Sequence, residues 1–361
     1  MKKSTLLIAA VLSAAAVHAD EGMWTLYDLP QAVYNQMQGY GFSVPYDGLY
    51  AGPDAIKNVV LNFGGFCSGV VVSPDGLVFT NHHCGFGAIN AHSTVEHDYM
   101  KNGFFAKTYA DELPNEDLFV SFMVEQKDVT DRLSQMGIYD MKPSRQADFV
   151  DSLENAWSKE VKQKDSTLRL EIKPFYEGNK YYATTYRDFR DVRLVFTVPK
   201  SMGKFGGETD NWMWPRHTGD FSVLRIYADA NNEPAAYSAD NKPYRPATFF
   251  KISNKGIQEG DFTMVFGYPG TTNEYLTSYA IEQLQNIENP HKIAIRTAKL
   301  NIINDAMESD ELLRIKYASK AASVANAWKK WQRETKGLKR FNTIALKQQQ
   351  EKEFLQWAAD K

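Results

Sequence analysis

Short apolar runs separated by turn residues dominate the first two thirds of the chain. Val59–Phe63, Gly69–Ser73 and Leu77–Thr80 are dense in Val, Leu and Phe, with glycines and Pro74-Asp75-Gly76 between them. Such runs predict strands joined by tight turns. Leu118–Val124, Leu168–Ile172, Tyr181–Tyr186 and Val192–Val198 read the same way. Between them, Phe149, Leu153, Trp157 and Val161 recur every four positions, which predicts an amphipathic helix over Ser144–Lys164, inserted between strands. Asp28-Leu29-Pro30 predicts a helix start, with Pro at the first helical position and an end near Met37. A long loop rich in Gly and Trp, Lys200–Thr218, leads into a further strand, Asp220–Tyr227. Lys255–Gly270 reads as a turn, a strand and a second turn. Beyond Thr277 the period changes to helical. Asn289-Pro290 opens one helix. Ser309-Asp310-Glu311 caps another, which runs to about Arg333 with Gly337 beyond it. A third spans Asn342–Ala359.

Length and composition narrow the class. A chain of 361 residues predicts two or more domains. Its 43% hydrophobic and 24% charged residues describe a globular protein. Forty-one basic against 44 acidic side chains, a formal charge of -3, argue against a nucleic-acid partner, which would need a basic face. Lys2 and Lys3, the apolar stretch Leu6–Val17 and the small residues of Val17-His18-Ala19 make residues 1–19 a signal peptide cleaved after Ala19. The apolar stretch is too short to span a bilayer. Export follows, to a bacterial periplasm, the medium or the outer surface. There the only two cysteines, Cys67 and Cys84, meet oxidising conditions and are expected to pair rather than remain free thiols.

The segment Thr80-Asn81-His82-His83-Cys84-Gly85 concentrates the chemistry. A histidine at a strand end, followed at once by a cysteine that pairs back across the preceding hairpin, resembles the first barrel of chymotrypsin-like serine proteases. That resemblance makes His83 a general base. In an extended segment His82 would point the opposite way. The competing reading is a metal site drawn from His82, His83, Cys84, His92 and His97, but adjacent His-His-Cys is not a usual ligand spacing. Asp220, opening the strand that follows Gly219, is the candidate acid that orients the base; Asp210 is its rival. Ser68 and Ser222 lack the glycine-rich setting of a nucleophile.

A narrower resemblance rests on three blocks. They are Gly206-Gly207-Glu208-Thr209-Asp210-Asn211-Trp212-Met213-Trp214-Pro215-Arg216-His217-Thr218-Gly219-Asp220; Asn81–Gly85 with Ser93–Tyr99; and Arg314–Lys320 with Ala325-Asn326-Ala327-Trp328. Together these resemble the bacterial dipeptidyl-peptidase 7 and 11 family along essentially the whole mature chain. The resemblance implies a mainly β fold with a helical insertion. A chymotrypsin-like barrel region over 20–277 would comprise a first barrel at about 40–246 and the start of a second at about 247–277. The beginning of an inserted α-helical domain would follow over 278–361. It implies release of dipeptides from oligopeptide N-termini, with His83 and Asp220 catalytic and Asn211, Trp212 and Asn326 contacting the free amine. It also suggests a homodimer. Without the resemblance, Trp212 and Trp214 would read as loop core. Neither a cofactor nor a metal is called for.

Family members are about twice as long, and their serine and oxyanion hole follow the helical insert. The chain is therefore expected to be an N-terminal portion, inactive by itself. The alternatives are a non-catalytic peptide-binding protein on a degenerate protease barrel and a zinc hydrolase.

Overall fold

The computed structural model describes residues 23–271, 273, 275–359 and 361; the expected signal peptide at 1–19 lies outside the described residues. Among the described residues eleven strands are formed: β1 Val60–Phe63, β2 Cys67–Val71, β3 Leu77–Thr80, β4 Phe104–Phe105, β5 Leu113–Asn115, β6 Val120–Asp128, β7 Leu168–Phe175, β8 Lys180–Phe189, β9 Asp191–Thr197, β10 Ser222–Ala228 and β11 Lys242–Pro243. They make one antiparallel sheet in the order β4-β9-β10-β3-β2-β1-β6-β8-β7, with β5 on β9 and β11 on β10. Only Arg190 separates β8 from β9. One end of this nearly continuous strand pairs with β6 and the other with β10, so β1, β2, β3, β10, β9–β8 and β6 form a closed circuit. The register shifts at Val223/Leu224 and at Met123/Glu125.

Local chemistry sets the turns. In the β2–β3 hairpin the Ser73 hydroxyl accepts from the Leu77 amide at 3.0 Å. Gly76 there has φ +67, and a Cβ would lie 2.8 Å from the Tyr244 carbonyl oxygen, so only glycine fits. Inside the circuit, Leu61, Phe63, Val71, Val78, Leu194 and Leu224 are almost wholly buried. Each such side chain contributes about 1.5–3 kcal/mol on transfer from water. Ionic groups are also buried. The Asp191 carboxylate accepts from Arg193 Nε and Nη2 at 2.9 and 2.7 Å and from Asn241 Nδ2 at 2.9 Å.

The helix Pro143–Lys164 lies between β6 and β7, as its periodicity predicts, and packs Val150 and Trp157 against Ile172, Tyr181 and Ala183. Asn289-Pro290 does not open a helix as expected: the helix starts at Ser278, capped by Thr277, and runs through a π-helical segment, Leu284–Glu288, into Asn289–Ser309; Glu311–Arg340 and Thr343–Ala359 follow. The helix Glu311–Arg340 joins the sheet's own core through Ile315 and Ala318. Asn90 Nδ2 also donates to the Ile315 carbonyl at 3.0 Å, and Arg314 pairs with Asp98. The fold is thus a large antiparallel sheet with helices packed on it.

Three further expectations are corrected. The strand read within 255–270 does not form. Phe262, Phe266 and Tyr268 pack on the cluster of Leu29, Tyr34 and Phe42 while Val265 faces solvent. An extended segment becomes a strand only with a backbone partner, and none is aligned with it among the described residues. Gly337 does not end its helix, which runs on to Arg340. Asn342, with φ +47, takes the left-handed position just past the end instead. His82 and His83 do not extend β3; they open a helix, His82–Ala91.

Candidate active site

Strand register brings His83 and Asp220 together. Ser222 at the start of β10 pairs with Thr80 at the end of β3. Antiparallel pairing then carries Asp220, two positions before Ser222, to the first turn of the helix His82–Ala91. There Asp220 Oδ1 accepts the His83 backbone N–H at 3.0 Å and Oδ2 lies 2.6 Å from His83 Nδ1, although 137 positions separate the two residues. Asn81 Nδ2 donates to the Asp220 carbonyl at 3.2 Å. The carboxylate therefore satisfies an otherwise unpaired N–H of the helix's first turn and also grips the imidazole.

Because a carboxylate only accepts, the ring donates from Nδ1, and Nε2 of the neutral ring is left as an acceptor. The His83 side chain is 66% exposed and that of Asp220 19%, so Nε2 is open while the acid is sheltered. Burial pushes the Asp220 carboxyl up. The side-chain and backbone hydrogen bonds with His83 outweigh it and hold the group below the usual carboxylate value.

Cys84, on the same helical turn, forms a disulfide with Cys67 at the start of β2, with Cα atoms 6.1 Å apart. The bridge anchors the helix start to the sheet. Cys67, His83 and Cys84 bring donor atoms within 4.8 Å of one another, but sulfurs bonded to each other offer no thiolate. His92 instead pairs with Asn115 at 3.2 Å and His97 stacks on Tyr99, so the zinc reading loses most of its proposed ligands. The rival acid Asp210 folds over Gly206. Ser68 Oγ accepts the Tyr268 amide at 2.6 Å. Ser222 Oγ is buried in β10 with no hydrogen-bond partner among the described residues.

Sequence reasoning set His82 aside. It is 2% exposed, its ring packs against Phe86, and its Nε2 has no partner among the described residues. Burial pulls its pKa below 6.5, against the attraction of Asp220. Its signal was its position: adjacent helical residues project in different directions, so one of two neighbouring histidines turns inward.

A second polar cluster lies where the loop before Asp220 meets the long helix. Asn211 Nδ2 donates to Asn326 Oδ1 at 3.1 Å, and Trp212 Nε1 donates to the same oxygen and to the Asn326 carbonyl, both at 3.0 Å. The three residues singled out together in the sequence are therefore in mutual contact. Asn211 is buried; Trp212 is 46% and Trp214 90% exposed, so these indoles are not loop core. Trp212 has φ +56, a left-handed conformation costing roughly 1–2 kcal/mol for a bulky residue. Glu208, which the sequence reading did not single out, accepts from Asn211 Nδ2 at 3.1 Å and pairs with Lys204. Its signal was its place one turn before Asn211 in a short helix, Gly207–Asp210.

A large antiparallel sheet that holds an exposed imidazole against a sheltered carboxylate makes a candidate site for proton-transfer chemistry. The chain matches the Peptidase S46 family over residues 19–361 and belongs to it. It is 46% identical to dipeptidyl-peptidase 7 of Porphyromonas endodontalis over 342 residues, 94% of this chain and 42% of that protein. It is also 46% identical to the Asp/Glu-specific dipeptidyl-peptidase of Capnocytophaga gingivalis over 351 residues, 97% of this chain and 49% of that protein. Among solved structures, DPP11 of Porphyromonas endodontalis in complex with the dipeptide Arg-Glu superposes with a TM-score of 0.87 at 39% identity, covering 95% of this chain and 50% of that one. The chain spans about half the length of these relatives.

Proposed function

We propose that the protein is a serine-type dipeptidyl aminopeptidase with a chymotrypsin-like first barrel, releasing dipeptides from the N-termini of oligopeptides. The observation that carries this reading is the pair of hydrogen bonds joining His83 to Asp220. On this reading His83 Nε2 takes the proton of a serine hydroxyl as that oxygen attacks the carbonyl of the substrate's second residue. Asp220 holds the ring in the required tautomer and stabilises the imidazolium that forms. His83 then returns the proton to the departing amine, and water repeats the cycle on the acyl-enzyme. The serine is not supplied by Ser68 or Ser222, whose hydroxyls are engaged or buried. The reading takes it from outside these 361 residues, consistent with the half-length coverage of the relatives.

Asn211, Trp212 and Asn326 are proposed to receive the substrate's free ammonium. A fixed carboxamide oxygen accepts its N–H groups and an indole face tolerates its charge. Binding the amine at a set distance from the base is what turns a barrel protease into one that counts two residues. Export to the periplasm and a homodimer belong to the same proposal, the first from the leader expected at 1–19 and the second from the family resemblance.

The test is hydrolysis of a dipeptidyl fluorogenic amide by protein expressed from its complete reading frame, beside His83→Ala. Turnover that survives His83→Ala unchanged rules the assignment out. Robust amidase activity in the purified 361-residue chain would contradict the placement of the nucleophile. A complete protein that binds oligopeptides without cleaving them would favour the peptide-binding alternative.

A further inference from the structure

The amine-binding reading leaves open which atom meets the ammonium, and the hydrogen-bond donors settle the orientation of the amides around it. An indole N–H can only donate, so the Asn326 group facing Trp212 is its oxygen. That oxygen also faces Asn211, which must present its NH2. A carboxylate can only accept, so Glu208 faces the same NH2. Both N–H bonds of Asn211 are thus taken, by two acceptors on different segments. Among the described residues its Oδ1 is left with one hydrogen-bond donor, Arg216 Nη1, at the long and weak distance of 3.5 Å. Asn326 Oδ1, with two N–H groups on it already, is the poorer acceptor of the two.

We propose that Glu208 is a positioning residue. It locks the Asn211 carboxamide so that Oδ1, and not NH2, is presented to the substrate's ammonium. This rests on the amine-binding reading and deepens it. A flipped amide would offer two N–H donors to a cation and repel it. Lys204 pairs with Glu208 and offsets its charge, so the carboxylate acts here as an oriented acceptor rather than as a counter-charge. Oε1 of Glu208 faces Lys204 and Oε2 faces Asn211, so the arrangement makes a specific demand on residue 208: an acceptor oxygen for Asn211 that Lys204 does not take.

The experiment compares Glu208→Ala with the double variant Lys204→Met/Glu208→Gln in protein from the complete reading frame, on a free-amine dipeptidyl amide and on its Nα-acetylated analogue. Glu208→Ala is expected to raise KM for the free-amine substrate about tenfold, the equivalent of one hydrogen bond, with kcat within about twofold. The double variant has no ammonium competing for the single Gln oxygen, which is then free for the Asn211 NH2, and it is expected to restore KM to within about threefold of wild type. The proposal is overturned if Glu208→Ala leaves KM unchanged, or if the double variant is as damaging as Glu208→Ala, since charge rather than orientation would then be at work. A wild-type enzyme indifferent to acetylation would instead sink the amine-binding reading itself, and this inference with it.

Discussion

Gly203 lies so close to the His82 imidazole that a Cβ built on it would stand 2.5 Å from the ring carbons Cγ and Cδ2. His82 is 2% exposed, which leaves its ring little room to move aside. Gly203→Ala is therefore expected to lose about 1–3 kcal/mol of stability through overpacking. Urea titration measures this directly, and a midpoint equal to wild type would show that the contact relaxes freely.

His82 also makes stability sensitive to pH. Burial holds its folded pKa below 6.5, with Asp220 opposing and His83, Lys200 and Lys204 adding to the depression. The unfolded chain then binds the extra proton first. The contribution is intact above about 6.5 and is lost as pH falls through the depressed folded value. A melting temperature that falls between pH 7.5 and pH 5 is expected, with a flatter slope in His82→Phe. Equal slopes in the two proteins would remove His82 from the account.

Asp220 is depressed as well, so its contribution holds above the ordinary carboxylate value of 3.8 and fades as pH drops through its folded pKa. Its larger effect is expected in catalysis. Asp220→Asn preserves shape but favours the wrong imidazole tautomer, and on the proposed mechanism kcat should fall by about 10^4 with KM little changed. A drop of less than about tenfold would mean that His83 is oriented by something else.

The Cys67–Cys84 bridge spans a sequence separation of 17. Replacing both cysteines by serine should cost about 3 kcal/mol in the chain-entropy account. Chemical denaturation with and without the substitutions tests this. Activity should suffer more than stability alone would predict, because the bridge anchors the helical turn that carries His83.

Asp191 is buried with three N–H groups on it from Arg193 and Asn241. Asp191→Ala would leave the Arg193 guanidinium buried without its counter-ion, at a cost of about 3–5 kcal/mol. A loss under about 1 kcal/mol in guanidinium titration would show that solvent reaches the guanidinium.

Most of the sheet is legible in the sequence because its strands are dense in β-branched and aromatic residues between glycine turns; β1, β2, β3 and β9 lie within a residue or two of the apolar runs that predict them. The two-residue strands β4 and β11 carry no such signal, since pairing with distant segments is all that defines them. The 255–270 segment has strand-like composition without a partner, and composition cannot supply one. Gly337 misleads because glycine permits a helix end without requiring it. At the site, the residue types pointed to His83 and Asp220, and the family motif to Asn211, Trp212 and Asn326. The inward turn of His82 and the grip of Glu208 on Asn211 depend on the helical turns that carry them, which the pattern did not reveal.

Ala318 is sunk in the sheet's core and Asn326, further along the same helix, meets Trp212. That stretch behaves as a measuring rod of about 12 Å, set by the axial rise of an α-helix. One extra residue between them would advance the carboxamide by about 1.5 Å and swing it about 100° around the axis, off the indole altogether. The length of this stretch is therefore under tighter restraint than most of its side chains, and evolution can repaint the rod far more easily than it can recut it.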